Sequence, residues 1–174
     1  MFTVKFADKE MTFDAPLSVF DAARAAELVT RAHLAANVNG KLVDMTYVLD
    51  ADAEVKLLTF EDKDGRHVFN HTAAHVLAQA VKRLFPEAKL TIGPAIESGF
   101  YYDFDSDTPF SADVLKKLED EMKKIVKENL LIERFTLPRD EAIALMTERE
   151  EPYKVQLIEE LPEGETISFY RQGE

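Results

Sequence analysis

The chain has no cysteine among its 174 residues, and that absence excludes a disulfide frame, a thiolate nucleophile and any cysteine metal ligand. A reducing compartment suits such a chain, and the cytoplasm is the expected location. It lacks an apolar run long enough to span a bilayer, which takes about 20 predominantly apolar residues. Its opening residues, Met1-Phe2-Thr3-Val4-Lys5-Phe6, alternate like a strand instead of forming a charged leader followed by an export segment, so no membrane partner is expected. A basic excess is missing too: 21 Lys and Arg stand against 33 Asp and Glu, for a net charge of −12, the wrong sign for a chain that grips nucleic acid unaided. None of its 6 glycines belongs to a Gly-rich phosphate loop. What is present is 46% hydrophobic content, enough for a real core in one large or two small domains.

The pattern changes near Glu61-Asp62-Lys63-Asp64-Gly65, a short charged stretch that contains glycine, and a boundary is expected there between residues 1–62 and 63–174. Before it, Phe2 to Ala7 and Met11 to Phe13 read as a hairpin, and Ser18 as the cap of a helix through Phe20, Ala23, Ala26 and Leu28. Asn39-Gly40 is a tight-turn signal between two further strands, and Glu54 to Phe60 closes the region as an alternating strand. After the boundary a helix is expected from about Asn70 to Phe85, ended by Pro86, followed by a hairpin of Leu90-Thr91-Ile92 with Phe100-Tyr101-Tyr102-Asp103-Phe104. Ser111 caps the next helix, whose stripe of Val114, Leu115, Leu118, Met122, Ile125 and Val126 reads as core-facing. Leu131–Leu137 and Thr166–Tyr170 read as strands, and Asp140–Glu148 and Pro152–Glu160 as helices. The basic residues Lys116, Lys117, Lys123, Lys124 and Lys127 read as a solvated helix face, because Glu119 and Asp120 stand four residues before Lys123 and Lys124.

The residues that stand out chemically are His71 and His75, in the run Asn70-His71-Thr72-Ala73-Ala74-His75. Spacing of four puts both rings on one side of a helix, with Ala78 and Lys82 on the same face and Ala73, Val76, Leu77, Ala80, Val81 and Leu84 centred opposite. The packing and histidine stripes are therefore expected to be separate. Metal ligation, proton transfer and substrate hydrogen bonding are all open to such a pair. The zinc-protease pattern needs Glu directly after the first histidine as general base, and this chain has Thr72. Of the other histidines, His33 and His67 are assigned no partner at ligand spacing, so no metal site is expected. Two solvent-facing histidines with no task are the bland alternative.

Longer runs surround the pair: His71-Thr72-Ala73-Ala74-His75-Val76-Leu77-Ala78, Leu84-Phe85-Pro86, Lys89-Leu90-Thr91-Ile92-Gly93-Pro94 and Gly99-Phe100-Tyr101-Tyr102-Asp103-Phe104. With these the chain resembles the N-terminal part of the threonyl-tRNA synthetases. Glu151-Pro152-Tyr153-Lys154 fits a later lysine-bearing helix of the same family, and Val38-Asn39-Gly40-Lys41-Leu42-Val43-Asp44 looks like its leading TGS domain. The resemblance implies an α+β chain: a small ubiquitin-like β-grasp domain, then a two-layer α/β domain with a largely antiparallel sheet. It implies that the second domain is a proofreading module that removes serine from threonine tRNA. His71, His75 and Lys154 would then carry catalysis, Tyr102 would contact substrate, and no residue would bind metal.

Chemistry suggests roles within that implied site. Either histidine could orient or deprotonate the attacking water near neutral pH. Lys154 suits the ester carbonyl oxygen or a tRNA phosphate, and Tyr102 a hydroxyl contact in the pocket wall. Gly93-Pro94 and Gly99 are expected to shape turns and to touch no substrate. The resemblance assigns ATP, magnesium and zinc to a synthetic core outside these residues, together with homodimerisation of the parent enzyme. It also implies that the family's proofreading domain continues into an Asp-x-Cys-x-x-x-His segment that this chain does not contain, so a fragment is expected that folds as two domains and deacylates weakly. The alternatives are a free-standing deacylase like those related to alanyl-tRNA synthetase, which share the His-x-x-x-His helix, and a non-enzymatic TGS-type interaction module.

Overall fold

Phe2, Val4 and Phe6 alternate with Thr3 and Lys5, and that period of two buries the first three along one side of strand β1 (Phe2–Phe6). A computed structural model describes residues 1–173. They form two compact units: Met1–Thr72 with Ala95–Gly99, and Ala73–Pro94 with Phe100 onward. Among the described residues no helix is long and apolar enough to cross a membrane.

In the first unit β1 forms a hairpin with β2 (Lys9–Phe13). The short β3 (Leu17–Ser18) leads into α1 (Val19–Ala25), where the Ser18 hydroxyl accepts the Asp21 backbone N–H at 3.0 Å. This is the expected cap, and it satisfies one of the donors that a helix start leaves open. Strands β4 (Ala35–Val38) and β5 (Lys41–Val43) meet through Asn39 and Gly40, with φ of 51° and 86°, the left-handed pair that a two-residue hairpin needs. β6 (Val48–Leu49) pairs antiparallel with β3, and β7 (Ala53–Leu58) completes a five-stranded sheet in the order β2-β1-β7-β4-β5. The β1–β7 pairing is parallel, which requires a crossover. Helix α1 lies within that crossover and packs Val19, Ala22, Ala23 and Ala26 against Val4, Phe6, Val38 and Val55.

Helix α2 runs from Lys63 to Leu84, starting a full two turns before the expected Asn70. Of the charged run at the expected boundary, Lys63, Asp64 and Gly65 form the first turn of α2. The Asp62 carboxylate accepts the Thr59 backbone N–H at 3.0 Å, and its carbonyl accepts the Arg66 N–H. Gly65 adds no looseness there: a Cβ at that position would collide with the Thr59 carbonyl oxygen.

The expected separation of stripes on α2 also needs correction. Val76, Ala80 and Val81 are buried as predicted, but so are Ala74 and Ala78, and Ala78 lies on the histidine side, while Leu84 is exposed. The helix is thus covered on more than one side, which half-buries His75 beside buried alanines while His71 stays exposed.

In the second unit β8 (Lys89–Leu90) pairs antiparallel with β11 (Phe104–Asp105); in the chain between them lies a short hairpin of β9 (Ala95–Ile96), which belongs to the first unit, and β10 (Gly99–Phe100). Helix α3 (Ala112–Glu128) is capped by Ser111 and buries Leu118 and Ile125 against Val76, Ala80, Val81 and Ala88. Two residues of its expected stripe do not follow: Leu115 is 55% and Val126 65% exposed. β12 (Ile132–Leu137) pairs antiparallel with β13 (Ile167–Gln172), and between them α4 (Arg139–Glu148) and α5 (Pro152–Glu160) share a core of Ala142, Met146, Ile158 and Ile167. Arg139 ties that corner down by donating to the carbonyl oxygens of Ile158 in the last turn of α5 and of Leu161 and Pro162 just beyond it. Helices are segregated from mostly antiparallel strands, which is the α+β class.

The close approach at Gly65 predicts that Gly65→Ala lowers unfolding stability by about 1–3 kcal/mol, the ordinary cost of overpacking. A downward shift of the urea midpoint at unchanged slope checks it.

Candidate active site

Helix α5 begins at Pro152, whose fixed φ suits a first helical position and whose missing N–H leaves no donor unsatisfied there. The preceding residue, Glu151, does not cap the helix with its side chain; that carboxylate is buried and committed elsewhere. One oxygen lies 2.9 Å from the Lys82 ammonium of α2, and the other accepts the Leu90 backbone N–H of β8 at 2.9 Å. Lys82 also donates to the carbonyl oxygens of Pro86 and Ala88, at 2.9 and 3.0 Å. Tyr153 donates its hydroxyl to Asp105 at 2.7 Å, so the first turn of α5 is pinned to both strands of the β8–β11 ladder.

Lys154 follows in the same turn. Its ammonium donates to the Thr91 carbonyl oxygen at 2.7 Å and lies 5.8 Å from the centre of the Tyr102 ring. This is cation–π range. Burial holds the Lys154 amine below the usual lysine range, and the nearby Glu151 charge opposes that shift. An ammonium has three donors, so the Thr91 bond leaves two for other partners. Tyr102 stacks on Phe104 with ring centres 4.6 Å apart and planes 11° from parallel. Its phenol is pushed up to about 12, first by burial and then by the Glu151 charge, and it is therefore a protonated donor at neutral pH. Gly93 borders the ring so closely that a Cβ there would overlap its carbons. The glycine expected only to shape a turn thus also sets where Tyr102 can lie.

Of the residues singled out in the sequence, Tyr102 and Lys154 meet directly. His75 is half-buried on α2, with its ring edge toward Tyr170 of β13 at 5.9 Å between centres. His71, one turn earlier, is solvent-accessible, and its ring stands at 88° to that of His67, 6.3 Å away. Partial desolvation, and then the like charge of His67, hold His71 below the usual histidine range, which leaves it a neutral imidazole near pH 7. The His67 neighbour corrects an expectation: His67 precedes His71 by four residues, the same spacing as His71 and His75. Even so, no group of three or more metal-ligating side chains stands together among the described residues. Glu151, Lys82, Thr91 and Tyr170 were not picked out as site residues. Lys82 had been noted on the histidine face, but nothing in the sequence around Glu151 marks it as buried.

Comparison with known proteins assigns the class first. No family model matches the chain. Its curated relatives are aminoacyl-tRNA ligases: it is 62% identical over 146 residues to the threonine–tRNA ligase of Acetivibrio thermocellus, covering 84% of this chain and 23% of that protein. It is 55% identical over 162 residues to that of Clostridium perfringens and 55% identical over 163 residues to that of Clostridioides difficile, covering 92% and 93% of this chain. The matched residues, most of this chain, belong to the threonine–tRNA ligase family. The chain spans about a quarter of the length of those relatives.

Two titrations follow from the geometry. Replacing His67 with Gln removes a like charge and raises the His71 midpoint toward the ordinary histidine value of 6.5, as read by proton NMR of the imidazole ring. Gly93→Ala displaces the Tyr102 ring from its site, so its ionisation falls from about 12 toward the ordinary tyrosine value of 10.0 in an ultraviolet titration.

Proposed function

We propose that this chain is the front portion of a threonine–tRNA ligase and that its second half contributes a proofreading site, which hydrolyses serine esterified to threonine tRNA. The observation that carries the proposal is the Lys154–Tyr102 cluster: a half-buried ammonium with donors to spare beside a phenol that stays protonated, in a sequence strongly similar to threonine–tRNA ligases. The relatives' name supplies the need for such a site. Threonine exceeds serine by one methyl group, and a difference of that size yields only about 1–3 kcal/mol of discrimination in a binding pocket. A second site that admits serine and rejects threonine repairs the remainder.

In the proposed reaction a water adds to the ester carbonyl carbon and passes its proton to a neutral imidazole. The bond between that carbon and the ribose oxygen then breaks, and the proton returns to the departing oxygen, which leaves free serine and an uncharged tRNA terminus. His71 suits the proton acceptor because its pKa is held low. His75, four residues on in the same helix, is the other candidate for that role. The Lys154 ammonium stabilises the oxyanion as it forms, and the partial burial that depresses its pKa also strengthens its field. Tyr102 donates a hydrogen bond to the seryl or ribose moiety. Transfer RNA is the proposed partner, with its phosphates met largely outside this acidic chain. We assign no step here to ATP, magnesium or zinc, and expect them in the synthetic reaction of the whole enzyme.

The test is release of radiolabelled serine from serylated threonine tRNA by an intact threonine–tRNA ligase carrying these residues. Lys154→Ala is expected to slow release by about 10²–10³-fold, the cost of one oxyanion donor. His75→Ala and His71→Ala are tested in parallel, and loss of the general base slows release by about 10²–10⁴-fold. Release at the unaltered rate in Lys154→Ala would overturn the reading.

A further inference from the structure

Glu151 is the most deeply buried carboxylate among the described residues, at 5% exposure, and the mechanism above makes no use of it. It stands three residues before Lys154, and both its oxygens are bound to parts of the chain distant in sequence: the ammonium of Lys82 and the backbone N–H of Leu90. Thr91, which accepts from Lys154, directly follows Leu90. One carboxylate therefore holds the start of α5 against the same stretch of backbone that receives the lysine. A buried acid with no partner is costly, and a free acid three residues from an ammonium would pair with it and cancel its charge. Lys82 prevents both outcomes.

We propose that Glu151 is a positioning residue: held by Lys82 and Leu90, it sets the place of the Lys154 ammonium over Tyr102 and keeps that ammonium charged without neutralising it. This deepens the proofreading reading and rests on it for the purpose it gives Lys154. The arrangement makes Lys82 a competitor. It draws the carboxylate away from Lys154, so the lysine feels the acid through space while its donors stay available for substrate.

Glu151 and Tyr102 lie against the Lys154 amine; Lys82 of α2 holds Glu151, and Lys89 of β8 reaches Glu150, the residue before Glu151, at 3.9 Å. The two opposed substitutions therefore predict opposite shifts. With Glu151→Gln the acid's charge is lost and the Lys154 midpoint falls further below the usual lysine value. With Lys82→Gln the acid loses its other partner, turns its full charge on Lys154, and the midpoint rises.

The experiment is a pH titration of this chain with ¹⁵N-labelled lysine, in which the Lys154 signal is identified by its loss in Lys154→Arg. Circular dichroism confirms that each variant is folded. Should Glu151→Gln fail to fold, Glu151→Asp, which keeps the charge on a shorter arm, together with Lys82→Gln carries the same comparison. Shifts of opposite sign in Glu151→Gln and Lys82→Gln, with Glu151→Asp between wild type and Glu151→Gln, support the proposal. A Lys154 midpoint unmoved by Glu151→Gln, or moved the same way by both substitutions, overturns it, because loosened packing alone would shift both in one direction. No substrate enters this measurement, so its failure is distinct from failure of serine release in the intact ligase.

Discussion

The salt bridge between Lys82 and Glu151 is the constraint on which the candidate site depends. It joins the long helix that carries the histidines to the first turn of the helix that carries Lys154, and the Leu90 N–H adds the β8 strand to the same junction. A buried ion pair contributes little net stability, because the cost of stripping water from both charges offsets most of their attraction. Removing Lys82 is another matter, since the buried Glu151 carboxylate left behind has little solvent to turn to. Such a pair specifies geometry more than it adds stability. Here the specified geometry is the approach of α5 to the Thr91 backbone and the Tyr102 ring.

Tertiary packing bears on the histidines as well. Helix α2 was expected to divide cleanly into an apolar side and a histidine side. Instead, alanines at 74 and 78 are buried next to the histidine row. His71 keeps access to solvent yet is desolvated enough to favour its neutral form. The fold thus reaches chemical tuning through ordinary packing, with no metal ligand set among the described residues.

Most of the local architecture was legible because its causes are local. Ser18 and Ser111 cap the helices they precede, Asn39-Gly40 turns a hairpin, and Pro152 opens α5. The failures share a different origin. Helix α2 was expected from about Asn70 and starts at Lys63, because composition does not reveal a first helical turn whose start is fixed by Thr59 donating to Asp62. Leu115 and Val126 sit at correct helical spacing and still face solvent, since a narrow contact uses only the centre of the stripe. In the site, His71, His75, Tyr102 and Lys154 could be named from motif resemblance, and the structure joins Tyr102 to Lys154. Glu151 escaped notice because its backbone partner at Leu90 is 61 residues away in sequence, and an acid between another acid and a proline looks like any surface carboxylate.

The charge of Lys154 is the point at which these constraints meet. Full exposure would leave its field screened by water, whereas full burial without a nearby acid would strip its proton. Between these limits, a carbonyl oxygen at 2.7 Å and an aromatic face at 5.8 Å partly replace the lost hydration without adding a formal negative charge. Among the described residues the formal negative charge that acts on it belongs to Glu151, which Lys82 holds to itself. A direct pair between Lys154 and Glu151 would have been the simpler arrangement, but it would occupy donors that the bond to the Thr91 carbonyl leaves over. Separating the acid from the lysine while keeping it near is what makes a structural ion pair compatible with an available ammonium.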